Sequence, residues 1–186
     1  METCENMSAG RKNTENKVDY CTPPKYVDAV MKFFDGKLDL DPCTNGNSLL
    51  KARISYCELY DGLKCIWEHT DTCFINPPYG RNPITKTTIY DWVDKAYSTN
   101  RLFGTEILML IPVASNTKHF KNIIFKFACG ICFLEDTRLK FWSKGKETKK
   151  GAPFACCFVY FGRNYDRFNQ VFSQYGKTFK IWLIKN

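Results

Sequence analysis

Residues 73–80 read Cys-Phe-Ile-Asn-Pro-Pro-Tyr-Gly, and two consecutive prolines at the end of an apolar run fix what the backbone can do there. Neither proline has an N–H to donate, and each holds the residue before it in extended geometry. A strand over residues 72–76 must therefore leave its sheet at Pro77 as a stiff loop. That loop carries the Asn76 carboxamide, the Pro77 carbonyl, Pro78 and the Tyr79 ring. A primary amide, a carbonyl and an aromatic face held together suit a flat heterocycle with an exocyclic amine. At average composition, an Asn, Asp or Ser followed by two prolines and an aromatic arises by chance in under about 1% of chains of this length.

The rest of the chain supplies the frame. Residues 1–17 are polar and without apolar periodicity, which predicts a flexible leader, and residues 18–186 are long enough for one compact domain with a sizeable core. Thr22 precedes Pro23 and Pro24 as a candidate helix N-cap, and Tyr26, Val27, Val30, Met31 and Phe34 follow at helical spacing up to Asp35-Gly36. Leu38 to Pro42 reads as a short strand carrying Asp39 and Asp41, and Ile54 to Leu59 as a second, with a turn at Asp61-Gly62. Thr87 to Thr99 places Ile89, Trp92, Val93 and Ala96 on one helical face. Glu106 to Val113 is a continuous apolar run suited to a strand buried on both faces.

Lys118 to Phe127 is expected to be helical. Gly130 to Phe141 and Ala152 to Phe161 are expected to pair as an antiparallel hairpin. Arg167 to Tyr175 suggests a last helix and Thr178 to Ile184 a last strand. The pattern is that of an α/β sandwich with a mixed sheet.

Charge and cysteine usage narrow the class. The net charge is +8, and six basic residues between positions 138 and 150 (Arg138, Lys140, Lys144, Lys146, Lys149 and Lys150) face only Glu147. Such a loop suits phosphate contacts, although a solvated hairpin tip would read the same way. Most of the ten cysteines lie in apolar runs, as in Ala155-Cys156-Cys157-Phe158, which predicts buried thiols rather than disulfides. Cys129 and Cys132 have no second pair at metal-ligand spacing, and His69 and His119 are solitary, so no metal site is expected. No run approaches 18 apolar residues, and Met-Glu-Thr-Cys-Glu-Asn is not a signal sequence. A soluble, cytoplasmic protein without membrane partners is expected.

Taken in order, Tyr20-Cys-Thr-Pro, Leu38-Asp-Leu-Asp-Pro, Asp61-Gly-Leu, Asn76-Pro-Pro-Tyr, and Arg138-Leu-Lys-Phe followed by Ala152-Pro-Phe resemble the S-adenosylmethionine-dependent amino-methyltransferases. Most closely they resemble the small phage-type DNA N6-adenine methyltransferases of the Dam family. The resemblance covers about Tyr20 to Phe161 and implies a Rossmann-like methyltransferase sandwich, mixed and mostly parallel, ending in an antiparallel β-hairpin.

Its implied chemistry agrees with the loop. Asn76 and the Pro77 carbonyl would each accept one hydrogen of the adenine amine, with Pro78 shaping the loop and Tyr79 stacking on a base extruded from the duplex. S-adenosyl-L-methionine would meet Tyr20 and Thr22 at its methionine end, Asp39 or Asp41 with Pro42 at its ribose, and Asp61 at its adenine. A single glycine, Gly46, in the turn after Pro42 departs from the glycine-rich pattern and leaves open which aspartate contacts the donor.

DNA would be held by Arg81 and Lys86 after the proline motif and by the basic loop. With no room for a separate target-recognition domain, the expected sequence specificity is short or relaxed. The chain would be a monomer or weak dimer, in the host-cell cytoplasm if phage-encoded, with a protective or regulatory role. Cytosine N4, an RNA base or a protein glutamine offers a similar planar amine. Asn at position 76 favours adenine or glutamine within the resemblance, and the basic loop favours nucleic acid. A non-catalytic DNA-binding module on the same fold is the remaining alternative.

Overall fold

The computed structural model describes residues 21–57, 59–143 and 145–181. The expected leader, Tyr20, Lys144 and the end of the expected last strand lie outside them. The first helix, α1 (Pro24–Phe33), buries Tyr26, Val27, Ala29, Val30 and Phe33, close to the expected stripe. Its N-cap is Pro23, with no side-chain cap, which corrects the expectation for Thr22. The Pro23 carbonyl accepts from the N–H groups of Tyr26 and Val27, and the Thr22 hydroxyl is turned elsewhere.

The strands are β1 (Leu40–Asp41), β2 (Ile54–Ser55), β3 (Thr72–Ile75), β4 (Glu106–Pro112), β5 (Gly130–Leu134), β6 (Trp142–Ser143), β7 (Lys146–Glu147), β8 (Cys156–Phe161) and β9 (Gly176–Lys180). Seven form one sheet in the order β2-β1-β3-β4-β8-β5-β9, while β6 and β7 form a separate small ladder. The contacts β2–β1, β1–β3 and β3–β4 are parallel; those of β8 with β4 and β5, and of β9 with β5, are antiparallel. Only β8 and β9 run against the other strands. The expected mixed, mostly parallel sheet and its late antiparallel hairpin are both present.

Alternation along the strands feeds two cores, one on each face. Leu108 and Leu110 of β4 join Phe74, Phe158 and Tyr160 under α1 and α4 (Tyr165–Phe172). Ile107, Met109 and Ile111 join Cys73, Ile75 and Val159 under α2 (Ile89–Phe103). Burying each such side chain contributes about 1.5–3 kcal/mol before chain entropy is counted. The buried thiols Cys73, Cys132 and Cys157 are free and pack within these layers.

Helix α2 starts at a capping box between Thr88 and Asp91 and ends at Gly104, near the expected bounds. Several other boundaries moved. Strand β2 has two residues because the chain turns at Cys57, whose carbonyl accepts from the Tyr60 N–H. Strand β5 stops at Leu134, where the Glu135 N–H bonds the Tyr175 carbonyl and Asp136 is taken by Lys25 and Tyr26.

The segment expected as a helix over residues 118–127 contains a π-helical stretch, Phe120–Ile124, before α3 (Phe125–Phe127). Asn164 starts α4 two residues early by accepting from the Arg167 N–H, and β9 begins at Gly176 instead of Thr178.

Candidate active site

The parallel strands β1, β3 and β4 end on one edge of the sheet, the place where open α/β sheets bind ligands. Asn76 follows β3 directly. Its Nδ2 donates to the Thr22 hydroxyl at 3.2 Å, and its Oδ1 accepts from the Tyr79 hydroxyl at 2.8 Å. These two contacts, one to each end of the amide, hold its plane in place. The oxygen keeps a second lone pair for another donor.

Tyr79 also reaches the Leu110 carbonyl at 3.0 Å, and its ring meets Phe141 and Phe154 edge-on. Burial of its surroundings raises the Tyr79 pKa well above the ordinary value, so the hydroxyl stays protonated and able to donate. The ring expected to stack on a base is thus also a brace for Asn76.

Beside Asn76 lies a small cleft of about 20 Å³ lined by Thr22, Asp41, Cys43, Thr44, Asn45 and Phe74 among others. Asp41 is only 5% exposed, yet belongs to this lining. Burial pushes its pKa up to about 6, against the opposing bonds from the Cys43 N–H, at 3.1 Å, and from Thr44. With the Cys43 N–H and the Cys43 and Thr44 side chains around its four lone pairs, the carboxylate has room for a further donor from the cleft.

Asp39 is committed elsewhere. It accepts from Arg53 Nε at 2.9 Å and from the N–H groups of Asp71 and Thr72 at 2.8 and 3.2 Å. Partial burial alone would raise its pKa, but these bonds together hold it below the ordinary value. It stitches the N-terminal ends of β1, β2 and β3 together.

Asp61 accepts from the Leu63 N–H at 3.2 Å and pairs with Lys64 at 3.5 Å, both local contacts. Its neighbour Gly62 is the tighter constraint: a Cβ there would lie 1.8 Å from the Pro42 carbonyl oxygen. The Asp-Gly pair therefore packs against the end of the Asp41-Pro42 segment because its second residue has no side chain.

The basic loop is folded back as the β6–β7 hairpin, with Gly145 at φ +74° in its turn. It docks on the segment before α1 through the Cys21 N–H to the Trp142 carbonyl, 2.7 Å, and the reciprocal bond, 3.1 Å. Thr22 and Asn76 are thus adjacent to the hairpin, and Phe141 meets Tyr79 from the same loop. Arg138, Lys146, Lys149 and Lys150 are exposed; Lys140 is exposed and pairs with Glu147 at 3.1 Å. Arg81 and Lys86 are exposed too, with their charged groups turned onto their own loop, Arg81 Nε to the Lys86 carbonyl and Lys86 Nζ to the Pro83 carbonyl.

A family model for DNA N-6-adenine-methyltransferase (Dam) matches residues 10–180. The chain belongs to this family. No significant match was found to a curated protein or to a solved structure. The Dam match spans both the parallel half that ends at Asn76 and the antiparallel half that carries the hairpin, so neither half is an appendage to it.

Within this Dam-family chain, Cys43, Thr44 and Asn45 line the cleft, residues that the sequence singled out only as the turn leading to Gly46 and not one by one. The available signal was their place in a polar turn directly after an acidic strand end. Among the described residues, no helix is long and apolar enough to cross a membrane.

Proposed function

We propose that the chain transfers a methyl group from S-adenosylmethionine to the N6 amine of an adenine in DNA, with the base extruded into the pocket at Asn76. The observation that carries this reading is the Asn76 carboxamide, oriented by Thr22 and Tyr79 on the lip of a cleft that holds a buried carboxylate. The cleft chemistry fits the donor: Asp41 would accept from the ribose hydroxyls, and Thr22 would lie towards the methionine end.

S-Adenosylmethionine, when bound, supplies an electrophilic methyl group on a sulfonium sulfur, which keeps the electron pair of the broken carbon–sulfur bond and leaves as a neutral thioether. The amine lone pair of adenine is delocalised into the ring and is a poor nucleophile. Asn76 Oδ1 and the Pro77 carbonyl would each accept one amine hydrogen, drawing the nitrogen towards tetrahedral geometry with its lone pair facing the methyl group. The nitrogen–carbon bond forms from that lone pair, and the surplus amine proton passes to solvent. Tyr79 holds Asn76 during this step and contributes its ring to the pocket wall.

The exposed basic residues of the hairpin, with Arg81 and Lys86, would contact phosphates, which gives affinity and salt dependence with little sequence readout. The test is transfer of a labelled methyl group to unmethylated DNA, followed by nucleoside analysis. N6-methyladenine is the expected product. Label on cytosine, RNA or protein with none on adenine overturns the assignment.

A further inference from the structure

Of the tryptophans among the described residues, two are built into the fold and one is not. Trp67 and Trp92 are buried and stacked at 6.2 Å, and the Trp67 indole N–H donates to the Gly62 carbonyl at 2.9 Å. Trp142, in β6, is half-buried and belongs to neither core. Among the described residues its indole N–H has no hydrogen-bond partner and its ring meets no other ring. A large amphipathic ring left in this way is suited to a ligand that completes its contacts.

Main-chain pairing sets where the indole stands. Cys21 and Trp142 exchange both of their backbone hydrogen bonds, at 2.7 and 3.1 Å. Residues paired so in an antiparallel bridge have Cα atoms about 5.5 Å apart and side chains on the same face. Phe141, one residue earlier, takes the opposite face and packs inward on Tyr79. The Cys21 thiol donates to Asn45 Oδ1 at 3.1 Å, and both residues line the cleft beside Asn76. Trp142 therefore stands at the rim of that cleft, on the side of Cys21 and Thr22.

The cleft is too small for a whole donor. At about 20 Å³ it has room for little more than a water-sized group. A donor that sets its ribose hydroxyls against Asp41 must leave its bulk outside, across the rim. With its methionine end towards Thr22, the part that passes Cys21 is the sulfonium and its alkyl arm. We infer that the Trp142 indole closes over this arm, giving it an apolar cover and a ring face for the positive sulfur. The inference rests on the donor reading above. It adds a contact from the hairpin, so that the element proposed to hold DNA also touches the methyl donor.

The experiment titrates S-adenosylmethionine by calorimetry into the full chain and its Trp142→Phe and Trp142→Ala variants. Binding of a labelled DNA duplex to the same proteins is measured without donor. Trp142→Ala is expected to weaken donor binding by roughly 5- to 30-fold, with Trp142→Phe within about 3-fold of the parent. DNA affinity without donor and melting temperature should stay unchanged, since the bonds to Cys21 run through the main chain. Donor addition should shift the tryptophan emission of the parent, and the shift should be lost in Trp142→Phe.

Unchanged donor affinity in Trp142→Ala overturns the inference. So does a loss that comes with a lower melting temperature and is not rescued by phenylalanine, because the indole then supports the hairpin. Weaker DNA binding with donor affinity intact assigns the indole to the nucleic acid and overturns it equally. A parent chain that binds no S-adenosylmethionine removes the donor reading itself, and this inference with it.

Discussion

Asp39 and Asp41 stand two residues apart, one just before the two-residue strand β1 and one at its end, and the fold uses them in opposite ways. At the N-terminal end Asp39 is bound by partners distant in sequence: an arginine and two backbone N–H groups surround it, and it ties three strands together. At the C-terminal end Asp41 is buried against burial's own cost, lining the same cleft as Asn76. The first arrangement stabilises the folded chain and lies outside the cleft lining. The second destabilises the folded chain while its charge waits for a ligand. Sites tend to carry such a local deficit, made up elsewhere in the structure.

The contrast can be broken most forcefully at the cleft end. Asn76→Ala is expected to lower methyl transfer by about 100- to 1000-fold or more, since one of two amine acceptors is lost, while donor binding stays largely intact. Single-turnover rates and calorimetric donor titration measure the two separately. A collapse of donor affinity with it would show that the Asn76 loop serves the donor and not the base.

The aspartates come next in size. Asp41→Asn should weaken donor binding by roughly 10- to 100-fold, the worth of a hydrogen bond to a charged acceptor, and leave thermal stability at pH 7 equal or higher. Asp39→Asn should do the reverse, costing about 1–2 kcal/mol of stability at neutral pH for a half-exposed cluster, with donor affinity nearly unchanged. Denaturant melts paired with donor titrations decide between the two patterns. If the two variants behave alike, the two ends of β1 are not distinct.

Acidity sharpens the same distinction. Asp41 has a folded pKa of about 6, above the ordinary 3.8, so its contribution to stability is complete below pH about 4 and is lost as pH rises through 6. At pH 7 the ionised group costs the fold up to about 3 kcal/mol. The form that accepts hydroxyl hydrogens is the ionised one, so donor affinity should fall as pH drops through 6, and Asp41→Asn should flatten that dependence. Asp39, held below the ordinary value, contributes stability that is present above that value and lost as pH falls. The smallest effect is expected from replacing Lys146, Lys149 and Lys150 together by Ala: DNA binding weakens, and its salt slope falls by about 1 to 3, with donor affinity and melting temperature unchanged.

How much of this was legible in the sequence depended on range. Two prolines after an apolar run placed the end of β3 almost to the residue, because proline acts on its own backbone and that of its neighbour. The stripe of α1 and the buried run of β4 were equally local and equally plain. The split between Asp39 and Asp41 was not. Alternation along a strand says which face a residue takes, but their difference arises from Arg53, Asp71 and Thr72, brought in by β2 and β3.

Thr22 misled for the same reason. Its sequence context is a helix cap, and its hydroxyl is taken instead by an amide 54 residues away. The π-helical stretch at Phe120–Ile124 also left no trace, since Phe120, Ile123 and Ile124 have a spacing that an α-helix would share.

The bonds between Cys21 and Trp142 run through main-chain atoms on both sides. No exchange of side chain at either position deletes them, apart from proline, which lacks the donor. The link from hairpin to Thr22 therefore survives a change of side chain at residue 142, whereas Cys21, buried at the cleft with its thiol donating to Asn45 Oδ1 at 3.1 Å, ties the same link to the cleft wall through its side chain as well.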